Sequence, residues 1–147
     1  MEVRVSAEQR SPDEVMLAYI EAWNTPDEQA RRDLLDRCWA DEGTYTHPIS
    51  EVRGKEALVA HIGRFLSEGP SGRSTGHRIP IGSGVDHHHG MIRFTWVMLN
   101  PKGVSVFQGV DVGEFATDSR LRRIIGFFGP PPPIPDNWPD HLVWHGD

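Results

Sequence analysis

At 147 residues the chain has room for one domain and for a core that needs neither disulfides nor a structural metal. Hydrophobic residues make up 37% and charged residues 24%, and Trp, Phe, Leu, Ile and Val recur along the chain, which excludes general disorder. A net charge of -6 without any Lys/Arg run argues against nucleic-acid and anionic-membrane partners. The single Cys38 excludes an intramolecular disulfide and a Cys-based zinc site. No apolar run approaches the ~18 residues of a membrane span, and the N-terminus lacks an apolar signal core. A cytoplasmic protein is expected.

Residues 1 to 11 are polar and read as a loose tail. The run Ser11-Pro12-Asp13-Glu14 supplies an N-cap hydroxyl, a proline for the first helical position and a capping-box acid, so a helix is predicted from Ser11. Val15, Tyr19, Ala22 and Trp23 line one of its faces. Thr25-Pro26-Asp27-Glu28 repeats the start signal. It opens a second helix with Ala30, Leu34, Leu35, Cys38 and Trp39 on its inner side. Residues 44 to 47 read as a short strand ended by Pro48, with Tyr45 and His47 on one face. Gly54 opens a third helix. Its stripe of Leu58, His61, Ile62, Phe65 and Leu66 runs to a stop at residues 69 to 72. Strands are predicted over 75–83, 90–99, 104–116 and 120–129, with a turn at Asn100-Pro101-Lys102-Gly103. Three helices followed by a strand meander form an α+β fold, a curved antiparallel sheet with helices on one face. The globular domain spans 12–129. Residues 130–147 are an extension with four consecutive prolines and two tryptophans, Trp138 and Trp144. It could dock over a pocket mouth or on a partner subunit.

Four short segments sharpen this outline: Tyr19-Ile20-Glu21; Trp39-Ala40-Asp41-Glu42 with Thr46-His47-Pro48; Gly54-Lys55-Glu56; and Val110-Asp111-Val112-Gly113-Glu114-Phe115. Their order and spacing resemble the cone-shaped NTF2-like fold, which includes the SnoaL-like polyketide cyclases and ketosteroid isomerase. The resemblance covers roughly residues 12 to 129. It implies that Tyr19 and Asp111 stand at the oxyanion-hole positions of the isomerase. His47 stands where the isomerase has its aspartate base. It also implies a homodimer.

The residues themselves suit such chemistry. Asp111 shares a strand face with Phe107, Gly109, Gly113 and Phe115, where burial would favour a neutral carboxylic acid able to donate a hydrogen bond. The bland alternative is a paired acid on the outer face. Tyr19 could offer a second donor, or be a core tyrosine bonded to a backbone carbonyl. His47, with an ordinary pKa of about 6.5, is suited to act as a base, or is a structural histidine before a turn. His61 lies within an apolar stripe and faces core or pocket. Asp86-His87-His88-His89 reads as a hairpin tip, because adjacent strand histidines point to alternate faces, and no metal is expected. Trp39, Phe94, Trp96, Met98, Phe107 and Phe128 are expected to line a greasy cleft for a small hydrophobic molecule.

The expected activity is cofactor-free proton transfer next to a carbonyl, with His47 as base and Tyr19 and Asp111 as oxyanion hole. The outcome would be isomerisation, cyclisation or elimination. A non-catalytic ligand-binding module of the same fold is the alternative. A dehydratase or epoxide hydrolase ranks third; the latter would need Arg93 inside the cleft beside Asp111.

Overall fold

The structure is a computed structural model that describes residues 11–146. The tail expected over 1–11 therefore lies almost wholly outside the described residues. Helix α1 (Pro12–Ala22) starts where Ser11 caps it, its hydroxyl accepting from the Glu14 N–H at 3.2 Å. Val15, Tyr19, Ala22 and Trp23 all face the core. Helix α2 (Glu28–Cys38) is capped by Asp27 rather than Thr25. The Asp27 carboxylate accepts from the Ala30 N–H at 2.9 Å, whereas the Thr25 hydroxyl turns back to the Glu21 carbonyl. Helix α3 (Lys55–Glu68) ends at Gly69 and buries Leu58 and Ile62 along the expected stripe.

Six strands follow the order β2-β1-β6-β5-β4-β3: β1 (Trp39–His47), β2 (Ser50–Arg53), β3 (Asp86–His88), β4 (Met91–Leu99), β5 (Ser105–Phe115) and β6 (Leu121–Phe128). Strand β4 shows clean alternation, with Ile92, Phe94, Trp96 and Met98 buried. The α+β architecture is as expected. The sheet is antiparallel except at one seam, because β1 and β6 run parallel. The meander fixes the direction of β6 before it reaches the free edge of β1. The first strand is also longer than expected: Trp39 opens β1 and does not belong to α2.

The strand expected over 75–83 is reduced to two isolated bridges, Arg78 to Leu99 and Ile81 to Trp96. Pro80 has no N–H to donate, and Gly76 and Gly82 flank it, so a continuous ladder cannot form. Asn24 holds the segment instead. Its side chain accepts from the Ile79 N–H at 2.8 Å and donates to the Ile79 and Ile20 carbonyls at 2.9 Å.

The helices are tied together by Arg31, which is 3% exposed. Its guanidinium donates to the carbonyls of Thr25, Pro26 and Val59 at 2.9, 3.1 and 3.1 Å. Gly63 leaves room for it, since a methyl there would stand 2.6 Å from Nη2. Arg31→Ala removes three hydrogen bonds from a buried guanidinium and is expected to lower stability by about 3 kcal/mol in urea unfolding; a loss under about 1 kcal/mol would show the clamp to be dispensable.

Candidate active site

Rows of side chains cross the concave face of the sheet. In one row Asp111 on β5 pairs with Gly126 on β6 and with Phe94 on β4. The parallel register of β1 and β6 brings His47 to the other side of Gly126, the next step after Tyr45–Ile124 and Thr46–Ile125. A methyl at Gly126 would stand 2.8 Å from Asp111 Oδ1 and 3.5 Å from His47 Cβ. A side chain at 126 would therefore crowd the Asp111 carboxyl, and glycine leaves bare backbone between the acid and the His47 side chain. In the adjacent row Phe128, Gly109 and Trp96 align. A side chain at Gly109 would collide with the Trp96 indole. The indole therefore lies over the β5 backbone, and its Nε1–H donates to Asp111 Oδ1 at 3.0 Å.

Asp111 is 4% exposed. Burial pushes its pKa up to about 7, and the Trp96 hydrogen bond offsets part of that rise. Two phenols share its surroundings. Tyr19, from α1, stacks on Trp39 with ring centroids 5.6 Å apart, and its buried hydroxyl has no aligned hydrogen-bond partner. Burial, and then the Asp111 charge, raise its pKa well above the ordinary tyrosine value. The Trp23 side chain pulls weakly the other way. Tyr45 is raised by the same two causes. Both phenols stay protonated and can donate.

His47 Nδ1 accepts from the Ile49 N–H at 3.3 Å. A neutral ring making that bond carries its proton on Nε2. Burial lowers the His47 pKa. His61 lies 5.7 Å from His47, centroid to centroid. Burial, then the neighbouring His47 and Arg64 charges, bring its pKa down to about 4. The two imidazoles are thus neutral at physiological pH.

These groups open on a cavity of about 800 Å³, within the usual size of small-molecule sites. Tyr19, His47, His61, Phe94, Trp96, Met98, Phe107, Asp111 and Phe128 all line it. Trp39 does not. It is fully buried behind Tyr19, because the start of β1 turns it into the core. Trp23, Tyr45, Phe65, Arg64, His77 and Ile79 line the cavity too, although they were not among the expected site residues. Tyr45 was legible two residues before His47, Trp23 four after Tyr19, and Phe65 four after His61. His77 was not, since it lies on the irregular segment that Asn24 holds. Its Nδ1 is buried without a hydrogen-bond partner.

Arg93 lies outside the cavity, exposed and paired with Asp86 at 2.8 Å, so it does not form an acid–Arg–acid set with Asp111. His87 and His88 are exposed on β3, and among the described residues no three His, Cys, Asp or Glu side chains gather as a metal site. Among the same residues no helix is long and apolar enough to cross a membrane.

Residues 16–124 match the family model of the SnoaL-like domain. The chain belongs to the SnoaL-like family. A provisionally named isomerase of this family from Agrobacterium tumefaciens is 28% identical, with a TM-score of 0.71 over 79% of this chain and 95% of its own. A provisionally named SnoaL-like polyketide cyclase from Jannaschia sp. is 14% identical, with a TM-score of 0.54 over 82% and 90%. An epoxide hydrolase from M. tuberculosis is 16% identical, with a TM-score of 0.57 over 80% and 82%. The last two share the NTF2-like fold with this chain. No curated protein matches the sequence.

The Asp111 environment has a measurable cost. Its folded pKa, about 7, stands above the ordinary 3.8, so folding takes up a proton between these values. Stability then falls as pH rises through that window, by about 4 kcal/mol in full. Asp111→Asn keeps an acceptor for Trp96 and carries no charge. It is expected to exceed the parent in stability at about pH 8 and to match it near pH 4, by denaturant unfolding at both. A difference that does not change with pH would contradict the desolvation of this carboxyl.

Proposed function

We propose that this SnoaL-like protein is a cofactor-independent enzyme that moves a proton next to the carbonyl of a small hydrophobic ketone, steroid-like or polyketide-like. The observation that carries this reading is the Asp111 carboxyl, poised near neutrality in an aromatic cavity that it lines together with His47, the two flanking Gly126. The names given to the Agrobacterium and Jannaschia proteins fall in the same chemical range.

In this proposal the Asp111 carboxylate takes a proton from the carbon beside the carbonyl. The electron pair moves onto the carbonyl oxygen and forms an enolate. Tyr19 O–H and His47 Nε2–H donate to that oxygen, at a site where water is scarce and such bonds count for more. Asp111, now a carboxylic acid, returns the proton to a different carbon in an isomerisation. In an elimination the enolate pair instead expels a leaving group, which takes the proton. The sequence suggests the opposite division, with His47 as base. The Ile49 N–H favours the Asp111 assignment, because it occupies the Nδ1 lone pair and leaves Nε2 with a proton to give.

The pH dependence separates the two orders. The probe is a β,γ-unsaturated 3-ketosteroid, whose conversion to the conjugated enone is followed by ultraviolet absorbance. With Asp111 as base, kcat/KM rises with pH through about 7 and then stays level. With His47 as base and Asp111 as neutral donor, it falls above about 7. Asp111→Asn is expected to lose about 10²–10⁴-fold and Tyr19→Phe about 10²-fold in kcat. A phenolic steroid that binds the parent and both variants equally, with no ketone turned over, would make the chain a ligand-holding module.

A further inference from the structure

Residues 130–146 take no part in the cavity. They fold only on themselves. The N–H groups of Trp138, Leu142 and Val143 donate to the carbonyls of Pro135, Pro139 and Asp140. No hydrogen bond, ion pair or ring contact joins this arm to the domain among the described residues; the last backbone bond to the sheet is from the Gly129 N–H to the Gln108 carbonyl. Ile134, Trp138, Leu142 and Trp144 are each more than half exposed, Trp144 by 77%. Side chains of this size gain by burial, and the arm's own domain does not bury them.

A second uncovered apolar surface lies where the arm departs. Phe128 lines the cavity, and the arm begins two residues later. At the mouth, Ile49 is 80% exposed, and Val106 and Phe107 are also open to solvent. Charge separates the two surfaces. Residues 130–147 contain Asp136, Asp140 and Asp147 and no Lys or Arg. The mouth carries Arg64, which has no ion pair among the described residues, and Glu68; the loop beside it adds Arg73 and Arg78. An acidic arm is a poor match for nucleic acid or an anionic lipid surface, and a good one for this rim. The prolines at 130–133 fix φ and favour a stiff extended run of about 12 Å, which holds the apolar residues beyond the mouth they leave.

We infer that the arm of one copy closes the cavity mouth of a second copy, by reciprocal exchange in a homodimer. Each arm then buries its tryptophans on the partner's Ile49 and Val106 and sets Asp136 and Asp140 near Arg64 and Arg73. The exchange is self-complementary and closes after two copies. Each cavity is complete only in the dimer.

The two arm tryptophans report on this directly, because Trp23, Trp39 and Trp96 are buried in the domain. The parent is expected to show arm fluorescence shielded from acrylamide wherever sedimentation shows a dimer. Two variants of the full chain then locate the contact. Ile49→Glu with Val106→Glu keeps the reporters and spoils the mouth. Trp138→Phe with Trp144→Phe keeps the mouth and removes the reporters. The first variant alone is expected to be fully quenchable. In an equimolar mixture half of its arms meet an intact mouth, so the quenchable arm signal is expected to drop about two-fold by mass action. No drop on mixing would overturn the inference, as would a parent dimer whose arm fluorescence is fully quenchable. Shielding in a sedimenting monomer would place the arm over its own mouth and overturn it too.

Discussion

The site depends on one costly arrangement, a carboxyl group buried among aromatic rings with a single side-chain donor. Asp111 sits mid-strand, where its backbone is fully used by its neighbours in the sheet and only its side chain enters the cavity. Burial favours its protonated form. The Trp96 indole draws its pKa back towards neutrality. That bond requires the indole to lie flat over β5, which in turn requires glycine at 109. Glycine at 126 leaves bare backbone between Asp111 and His47. Two residues without side chains thus set the chemistry of two that have them.

The helical layer completes the cavity by bringing polar groups to an apolar roof. Helix α1 contributes Tyr19 and, at its C-cap, Trp23; α3 contributes His61 and Phe65. Arg31 and Asn24 hold this layer, Arg31 by joining the link carbonyls of Thr25 and Pro26 to Val59 on α3, and Asn24 by bonding the backbone of the irregular segment at Ile79. Titration of the site works in opposing directions. His61 has a folded pKa near 4 against an ordinary 6.5, so its share of stability grows as pH rises between them. The Asp111 share shrinks across an overlapping range. Between about 4 and 6.5 the two contributions oppose each other.

Membership of the SnoaL-like family accounts for the frame, and the frame alone does not set a reaction. Neighbours of the same fold carry names as different as isomerase, polyketide cyclase and epoxide hydrolase. The end of β1 carries the local feature on which the proposed division of roles rests. The His47-Pro48-Ile49 turn folds the Ile49 N–H back onto the imidazole. In the proposed mechanism this orientation makes His47 the proton donor and leaves Asp111 to act as the base.

Local physics made much of this legible in the sequence. Capping residues, apolar stripes and strand alternation determined the three helices, the meander, and the separate strand faces that carry Phe94, Trp96 and Met98 and that carry Phe107 and Asp111, because each of these is decided within a few neighbouring residues. The four-residue pattern around Tyr19 also placed it inward. The tertiary structure alone decided the rest. The parallel seam between β1 and β6 joins segments some eighty residues apart, and no local signal specifies that register. The same seam decides that His47 and Asp111 flank a glycine. The move of Trp39 from helix to strand, and so from cavity wall to core, followed from where β1 could begin pairing. His77 reached the cavity through a side-chain clamp from Asn24, on a segment whose proline and glycines look like a weak strand. Pairings of this kind depend on which distant surfaces fit together, and that is settled only when the chain closes on itself.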